Sequence, residues 1–369
     1  MFENIITDLP SSLMALVILT LVINWGSSKL GDSLHTLGVK LHIPDSVRGA
    51  TFDAVSSSFP ELVTALVAVL VYNQFSDVGL STVAGSAIFN ILIIPMFSIF
   101  FYKAAVTSKN SNANINKDDD NDNDGNNNNN DTIKVEKKTI LRDTLFYILS
   151  IGALIFFTLQ GQYTAFSGYV LIAIYLAYLV VLYSQFKSHK KEMQQSIQNG
   201  EYCDEECELE EDTTYSEIMF WITAGIFIIW FAIDGLVQAA ITLSSILSIP
   251  VFITSVIIVA ACTSIPDTIL SVNSAKRGDA DGAIANAIGS NIFDICICLG
   301  LPMIIAGAVL PVNPSDSLGV LAFVVLSMVT TSGLLLKNKI TKKDAYLMFF
   351  VYLLFIAYIV AKTFKIIQI

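Results

Sequence analysis

A chain of 369 residues that is 54% hydrophobic and only 14% charged carries more apolar surface than one soluble core can hide, and its apolar runs are about 20 residues long, the length that spans a bilayer. Composition therefore excludes an ordinary soluble globular protein. The formal charge of −11 comes mostly from two polar connections, so it says little about partners, and no nucleic acid is expected among them.

Ten apolar segments read as helices, at 11–29, 47–73, 80–102, 139–160, 163–186, 215–243, 249–275, 281–305, 317–336 and 344–364. The expected organisation is helices one to three in 1–107, a disordered Asn/Asp-rich connection in 108–138, and helices four and five in 139–186. An acidic connection follows in 187–214, and helices six to ten occupy 215–369. Lys and Arg fall in or beside alternate connections, and the opposite ones near 74–79, 161–162, 244–248 and 306–316 contain none. Basic residues in short connections stay on the cytoplasmic side. A multi-pass protein of the plasma membrane is expected, with both termini outside and 187–214 inside; Lys362 and Lys365 break the rule at the end. Five spans per half turn the halves upside down relative to each other, the plan of many secondary transporters.

Met1–Pro10 carries acids where a signal peptide needs bases, so the first apolar run is read as a retained helix. It tapers into a polar connection, Gly31 to Asp45, with no readable chemistry. Cys203, Cys207, Cys262, Cys296 and Cys298 fall on the inner side or in the membrane, where disulfides are not expected.

The sequence then says one thing twice. Shifted by 206 positions, Leu41, Ile43, Pro44, Ala54, Ser58 and Pro60 fall on Leu247, Ile249, Pro250, Ala260, Ser264 and Pro266, and Glu61 falls on the acid Asp267. At a shift of 204, Gly85-Ser86-Ala87-Ile88-Phe89-Asn90-Ile91 falls on Gly289-Ser290-Asn291-Ile292-Phe293-Asp294-Ile295. Pro60 and Pro266 each remove a helical hydrogen bond, to the carbonyls of Ser56 and Cys262, and break helices two and seven. Broken helices at membrane depth are tolerated where the freed groups meet protein, water or ions. Ser57 and Ser58 precede Glu61 by four and three residues, and Thr263 and Ser264 stand likewise before Asp267. Ser86 with Asn90, and Ser290 with Asp294, are four apart and share one helical stripe each. Gly85 and Gly289 read as the small residues that let helices approach. Acids inside the membrane are expensive and mark ion pathways. A single kink or Ser-x-x-x-Asn stripe is ordinary packing, but the joint recurrence is not, and an all-oxygen donor set suits hard cations such as Ca²⁺.

These two stretches, with Ser-Ser-Phe-Pro-Glu-Leu in the first and Thr-Ser-Ile-Pro-Asp and Ala-Lys-Arg-Gly in the second, resemble the alpha repeats of the calcium/cation antiporter superfamily and are most similar to those of the potassium-dependent sodium/calcium exchangers. The resemblance implies an all-α membrane protein of ten transmembrane helices, as two inverted five-helix repeats, that exchanges Na⁺ for Ca²⁺ by alternating access and works as a monomer. No enzymatic activity and no cofactor are implied; Ca²⁺ and Na⁺ are the substrates, with K⁺ a candidate travelling with Ca²⁺. By position, Glu61 and Asp267 would bind Ca²⁺ and competing Na⁺. Ser57, Ser58, Thr263, Ser264 and the carbonyls near Ala54 and Ala260 would add ligands, and Ser86, Asn90, Ser290 and Asp294 would complete the site. An acid at the position of Asp294 is associated with potassium dependence. Helices one and six, which lack ligands, would be the moving part.

Departures from the family pattern are Ser56 and Cys262 in place of glycine, and Asp53 in place of an apolar residue. Asp53 reads as lining the cytoplasmic access path or as pairing with Arg48. In the first connection, Asp120 to Gly125 with Asp131 matches part of a calcium loop, but 108–131 is low-complexity Asn and Asp that reads as disordered. Cys203 and Cys207 sit in an acidic run that reads as a solvated linker. Competing functions are a proton-coupled calcium antiporter of the same fold, whose usual Gly-Asn-x-x-Glu is absent, an intramembrane aspartyl protease, whose Gly-x-Gly-Asp is absent, and a cation channel.

Overall fold

The computed structural model describes residues 2–41, 52, 54–102, 137–198, 214–276, 280–337 and 340–364. Asp53 and Arg48, the Asp120–Asp131 stretch and the Cys203 and Cys207 run lie outside them, as does most of each polar connection.

The described chain is almost entirely helical. The helices are α1 (Leu9–Lys40), α2 (Ala54–Ser57), α3 (Phe59–Leu70), α4 (Ser81–Phe101), α5 (Lys137–Leu159) and α6 (Ala165–Gln198). The second half has α7 (Tyr215–Leu247), α8 (Val251–Thr254), α9 (Ala260–Thr263), α10 (Ile265–Lys276), α11 (Ala280–Phe293), α12 (Gly300–Ile305), α13 (Pro314–Leu335) and α14 (Lys342–Thr363). Widened turns at Phe75–Leu80, Ser255–Val259 and Asp294–Cys298 join several of these. Among the described residues, 8 helical stretches are long and apolar enough to cross a membrane. A ninth is the broken pair Val251–Thr263 and Ile265–Lys276, bent by 42°. The expected second span is described from Ala54 onward, with Phe59–Leu70 as its apolar half. A two-residue antiparallel pairing of β1 (Gln162–Tyr163) with β2 (Leu310–Pro311) ties one connection of each half together.

Several helices run past their expected ends. α1 continues to Lys40 rather than stopping at 29, because Leu30, Ser33 and Gly38 keep one face buried; tertiary packing, not propensity, carries it through the glycines and serines. α6 continues to Gln198 rather than 186, through a Lys-, Met- and Gln-rich stretch of good helix formers.

The helices form two packed units. α1 lies along α7, where a Cβ on Gly26 would come within 3.0 Å of Ile229; the missing side chain lets the two backbones approach, as small residues do in membranes. Around this pair, Ile23, Leu30, Ile229, Ile233, Leu236 and Val237 share a core with Val63, Val67 and Val259. The remaining helices build a larger core containing Ile88, Ile91, Tyr147, Ile292, Leu299 and Phe355. Leu13, Val17, Leu21, Leu176 and Val180 point outward, an apolar coat of the kind lipid covers.

Pro95 inside α4 has no N–H to give the carbonyl of Ile91. Thr331 of α13 supplies the missing donor, its hydroxyl 2.8 Å from that carbonyl. A helix carrying a candidate ligand is thereby anchored to α13.

Candidate functional site

Both broken spans turn at the serine before the proline. Ser58 has φ −91 and ψ 7, and Ser264 has φ −83 and ψ 0. In each copy the alanine carbonyl four residues before that serine is doubly used. Ala54 O accepts from Ser58 N at 3.0 Å and Ser57 Oγ at 3.4 Å, and Ala260 O accepts from Ser264 N at 3.1 Å and Thr263 Oγ1 at 3.2 Å. The repeat seen in sequence is therefore a repeat in backbone and side-chain geometry.

α4 and α11 cross between the breaks. A Cβ on Gly85 would lie 2.1 Å from the carbonyl of Val256 and 2.7 Å from Ala260 Cβ, so glycine alone permits this contact. At Gly289 the described atom nearest its Cβ position is Tyr178 Oη at 4.0 Å, and Ala50, which the 206 shift makes equivalent to Val256, lies outside the described residues. Asn291 takes the position of Ala87 in the repeat, and its amide donates to the Ala87 carbonyl at 2.9 Å and to Tyr147 Oη at 3.0 Å. That bond joins the two helices at equivalent positions, where the repeats face each other.

Glu61, Asp267, Asp294, Asn90, Ser58, Ser86, Thr263, Ser264 and Ser290 are all fully buried, and Ser57 and the two alanines nearly so. Ser86 is the hub. Its Oγ lies 3.3 Å from Glu61 Oε1, 2.9 Å from Ser264 Oγ and 3.3 Å from Asp294 Oδ2. Asn90 Nδ2 donates to Ser86 Oγ at 3.1 Å and reaches Asp294 Oδ2 at 3.4 Å and Asp267 Oδ2 at 3.5 Å. Ser264 donates to Glu61 Oε1 at 3.3 Å, and Ser290 to Asp267 Oδ1 at 3.0 Å. One residue pair of the first repeat thus joins acids from both. Ser57 and Thr263 place their hydroxyls on the alanine carbonyls and also face Asp267 and Glu61 respectively.

Among the described residues, three oxygens in the cluster find no hydrogen-bond partner: Ser58 Oγ, Glu61 Oε2 and Asn90 Oδ1. Ser58 Oγ faces Asp267 and Asp294 without closing a bond of normal geometry. Buried polar atoms are nearly always satisfied, so three orphans beside three buried acids fit a hard cation that supplies the missing contacts. Among the described residues, no three His, Cys, Asp or Glu side chains converge closely enough to hold a metal by themselves. The acids here are spaced by Ser86 and Asn90, and any cation would take hydroxyl, amide and carbonyl oxygens alongside carboxylates.

Two features were not evident from the chain alone. Asp294 opens a widened turn, with Leu299 N bonding back to its carbonyl at 3.2 Å; such turns interrupt α-helices frequently at functional sites. The thiol of Cys298 lies 3.6 Å from Asp294 Oδ1 and 3.6 Å from the Ser58 carbonyl, forming a wall that the Ser-x-x-x-Asp spacing leaves unspecified. Spacing of four from Asp294 was the available signal.

A model of the family described as sodium/calcium exchanger protein matches residues 11–184 and 217–361. The chain belongs to that family. Sodium/potassium/calcium exchanger 3 of Mus musculus is 31% identical over 41% of this chain and 19% of its own length. Sodium/potassium/calcium exchanger 5 of Homo sapiens is 25% identical over 75% of this chain and 66% of its own length. The chain thus spans less than two thirds of the length of these relatives. Among solved structures, the H⁺/Ca²⁺ exchanger CAX superposes with a TM-score of 0.69 at 14% identity, covering 93% of this chain and 81% of that one. The sodium-calcium exchanger NCX_Mj superposes with a TM-score of 0.57 at 20% identity, covering 94% and 98%. These two share the fold with this chain, the ten-helix inverted repeat expected from the sequence.

Proposed function

We propose that the chain is a secondary antiporter that exchanges Na⁺ for Ca²⁺ by alternating access, with K⁺ carried alongside Ca²⁺. The names of its exchanger relatives favour these ions. The observation that carries the reading is the Ser86 and Asn90 bridge, which gathers acids from both broken spans around three unpartnered oxygens. Glu61, Asp267 and Asp294 supply three negative charges, equal to one Ca²⁺ plus one monovalent cation or to three monovalent cations. Loaded either way the site is neutral, and empty it is a set of repelling carboxylates away from water. Moving loaded is cheaper than moving empty, and that difference couples the two fluxes. Ser57, Ser58, Thr263, Ser264 and Ser290, with the carbonyls of Ala54 and Ala260, complete the ligand shell by exchanging their present hydrogen bonds for contacts to the ion.

Holding Ca²⁺ ten-thousandfold lower on one side costs about 5.5 kcal/mol, and each charge crossing 100 mV returns about 2.3 kcal/mol. A few Na⁺ moving down their gradient meet that cost. In this reading the chain is a monomer in the plasma membrane, with both termini outside. The test is Ca²⁺ uptake into Na⁺-loaded proteoliposomes, with and without external K⁺, for wild type and Asp294→Asn. Uptake that needs Na⁺ inside and K⁺ outside, with the K⁺ requirement lost in the variant, is expected. Uptake driven by a pH gradient and indifferent to Na⁺ would replace this reading with H⁺/Ca²⁺ exchange.

A further inference from the structure

Neither α1 nor α7 carries a candidate ion ligand, yet α7 has a polar stripe on its packed side. Asp234, Gln238 and Thr242 follow at intervals of four, one face of the helix, and Asp234 and Gln238 are buried. An acid buried in a membrane helix is expensive and calls for a partner. Here the partner comes from the other packed unit. Tyr72, just beyond the C-terminal end of α3, donates its hydroxyl to Asp234 Oδ1 at 2.9 Å and lies 3.2 Å from the Asp234 carbonyl and 3.3 Å from Gln238 Oε1. Gln238 Nε2 reaches Thr242 Oγ1 at 3.3 Å, and Thr242 Oγ1 donates to the carbonyl of Ile6 at 3.3 Å. A polar chain therefore runs from the bundle that holds the site, across α7, to the segment leading into α1.

Tyr72 is itself firmly seated. Its N–H bonds to Val67 O at 3.2 Å, the N–H of Gln74 bonds to Ala68 O at 2.8 Å, and Asn73 between them turns the chain with φ 53. The apolar part of the core shared by the two units here includes Val63, Val67 and Val78 from the bundle. Smooth apolar contacts resist sliding little, whereas a phenol on a buried carboxylate is directional and has one good register. We infer that Tyr72 and Asp234 form a latch that holds the α1–α7 pair against the bundle at the membrane face where residues 71–74 turn, keeping the site closed to that face. They are positioning residues, acting on which side the site opens to rather than on the ion. This rests on the exchange reading above.

The test uses the full chain in proteoliposomes with access to each face. The Ca²⁺ KM is measured on both sides for wild type, Tyr72→Phe, Asp234→Asn and the double variant. Freeing the latch raises the population open to the 71–74 face, so KM should fall there and rise at the opposite face, each about threefold or more, with the maximal rate less changed. Tyr72→Phe removes the donor, whereas the amide oxygen of Asp234→Asn still accepts, so the double variant should match Tyr72→Phe and Asp234→Asn alone should shift KM less. KM unmoved, or moved in the same direction at both faces, overturns the latch. Amide hydrogen exchange on the purified protein reads the latch without transport: Tyr72→Phe should speed exchange at 71–75, and unchanged protection overturns it. Wild-type protein with no Na⁺-dependent uptake would instead overturn the exchange reading, leaving the exchange-protection result to judge the latch.

Discussion

The half-helices that follow the two prolines start alike and end differently. In α3, Pro60 through Ala65 and Val67 through Val69 are buried. In α10, only Pro266, Asp267, Ser271 and Ala275 are buried, and Ile269, Asn273 and Lys276 are exposed. The cause is in the side chains: Leu-Val-Thr-Ala-Leu-Val-Ala-Val-Leu after one acid, Thr-Ile-Leu-Ser-Val-Asn-Ser-Ala-Lys after the other. The apolar copy is sealed between the bundle and α7, with the Tyr72 to Asp234 bond at its far end. The polar copy offers Ser271 to Asn286, whose amide donates to it at 2.9 Å, and Asn286 also faces Asp267. The repeat fixes equal chemistry at the break, and the sequence beyond it makes one end a seal and the other a partly open polar face.

That contrast can be broken first at the acids. Glu61→Gln and Asp267→Asn each leave a buried cluster one charge short, a loss of about 3 kcal/mol, and Na⁺-dependent Ca²⁺ uptake should drop about a hundredfold in both. Unequal losses would show that the two breaks are not equivalent in function. Gly85→Ala tests the close crossing: the new methyl would lie 2.1 Å from the Val256 carbonyl, a backbone atom that cannot step aside cheaply. A stability loss of about 3 kcal/mol is expected, read as a lower unfolding midpoint in detergent.

A smaller and more direct comparison pairs Val67 with Asn273, equivalent by the 206 offset. Val67 is fully buried, so Val67→Ala should cost about 1–2 kcal/mol. Asn273 is exposed, and Asn273→Ala should stay within about 0.5 kcal/mol. Equal destabilisation would erase the distinction between sealed and open halves. The smallest effect concerns α1 and α7, the equivalent first helices of the two halves. Asp8 caps α1 in a reciprocal box with Ser11, whereas Thr214 makes no side-chain cap on α7. Hydrogen bonds from Ser11 hold the Asp8 carboxyl below its ordinary value. Its contribution is therefore complete above the ordinary carboxylate range and lost as pH falls through the lowered value. Asp8→Ala should quicken amide exchange in the first turn of α1 at neutral pH and make no difference in strong acid.

The breaks were legible because proline acts on its own neighbours: Pro60 and Pro266 disrupt a bond four residues back whatever surrounds them. The Ser86 with Asn90 and Ser290 with Asp294 stripes were legible for the same local reason, the helical period. Helix ends were less so. Gly31, Ser33 and Gly38 look like a polar connection in isolation, and the helix runs through them with one face buried, Leu30 packing on Gly225 of α7. Gly85 read as a close crossing and is one because Val256 and Ala260 stand opposite it, which one residue does not encode; for Gly289 the equivalent opposite segment lies outside the described residues.

The amino-acid order by itself determined the apolar spans, the doubled motif, the positions of both breaks and the family, since each depends on composition, local sterics or spacing along one chain. Which acids meet was a matter for tertiary structure. The chain separates Ser86 from Asp294 and Asn90 from Asp267 by well over a hundred residues, and only the packing of one repeat against its inverted copy puts Ser86 among all of them. The same holds for Thr331 on the Ile91 carbonyl, Cys298 on the Ser58 carbonyl, and Tyr72 on Asp234. Each is a contact between distant segments whose partners carry no mark of one another in sequence, because hydrogen-bond geometry is set by where backbones end up.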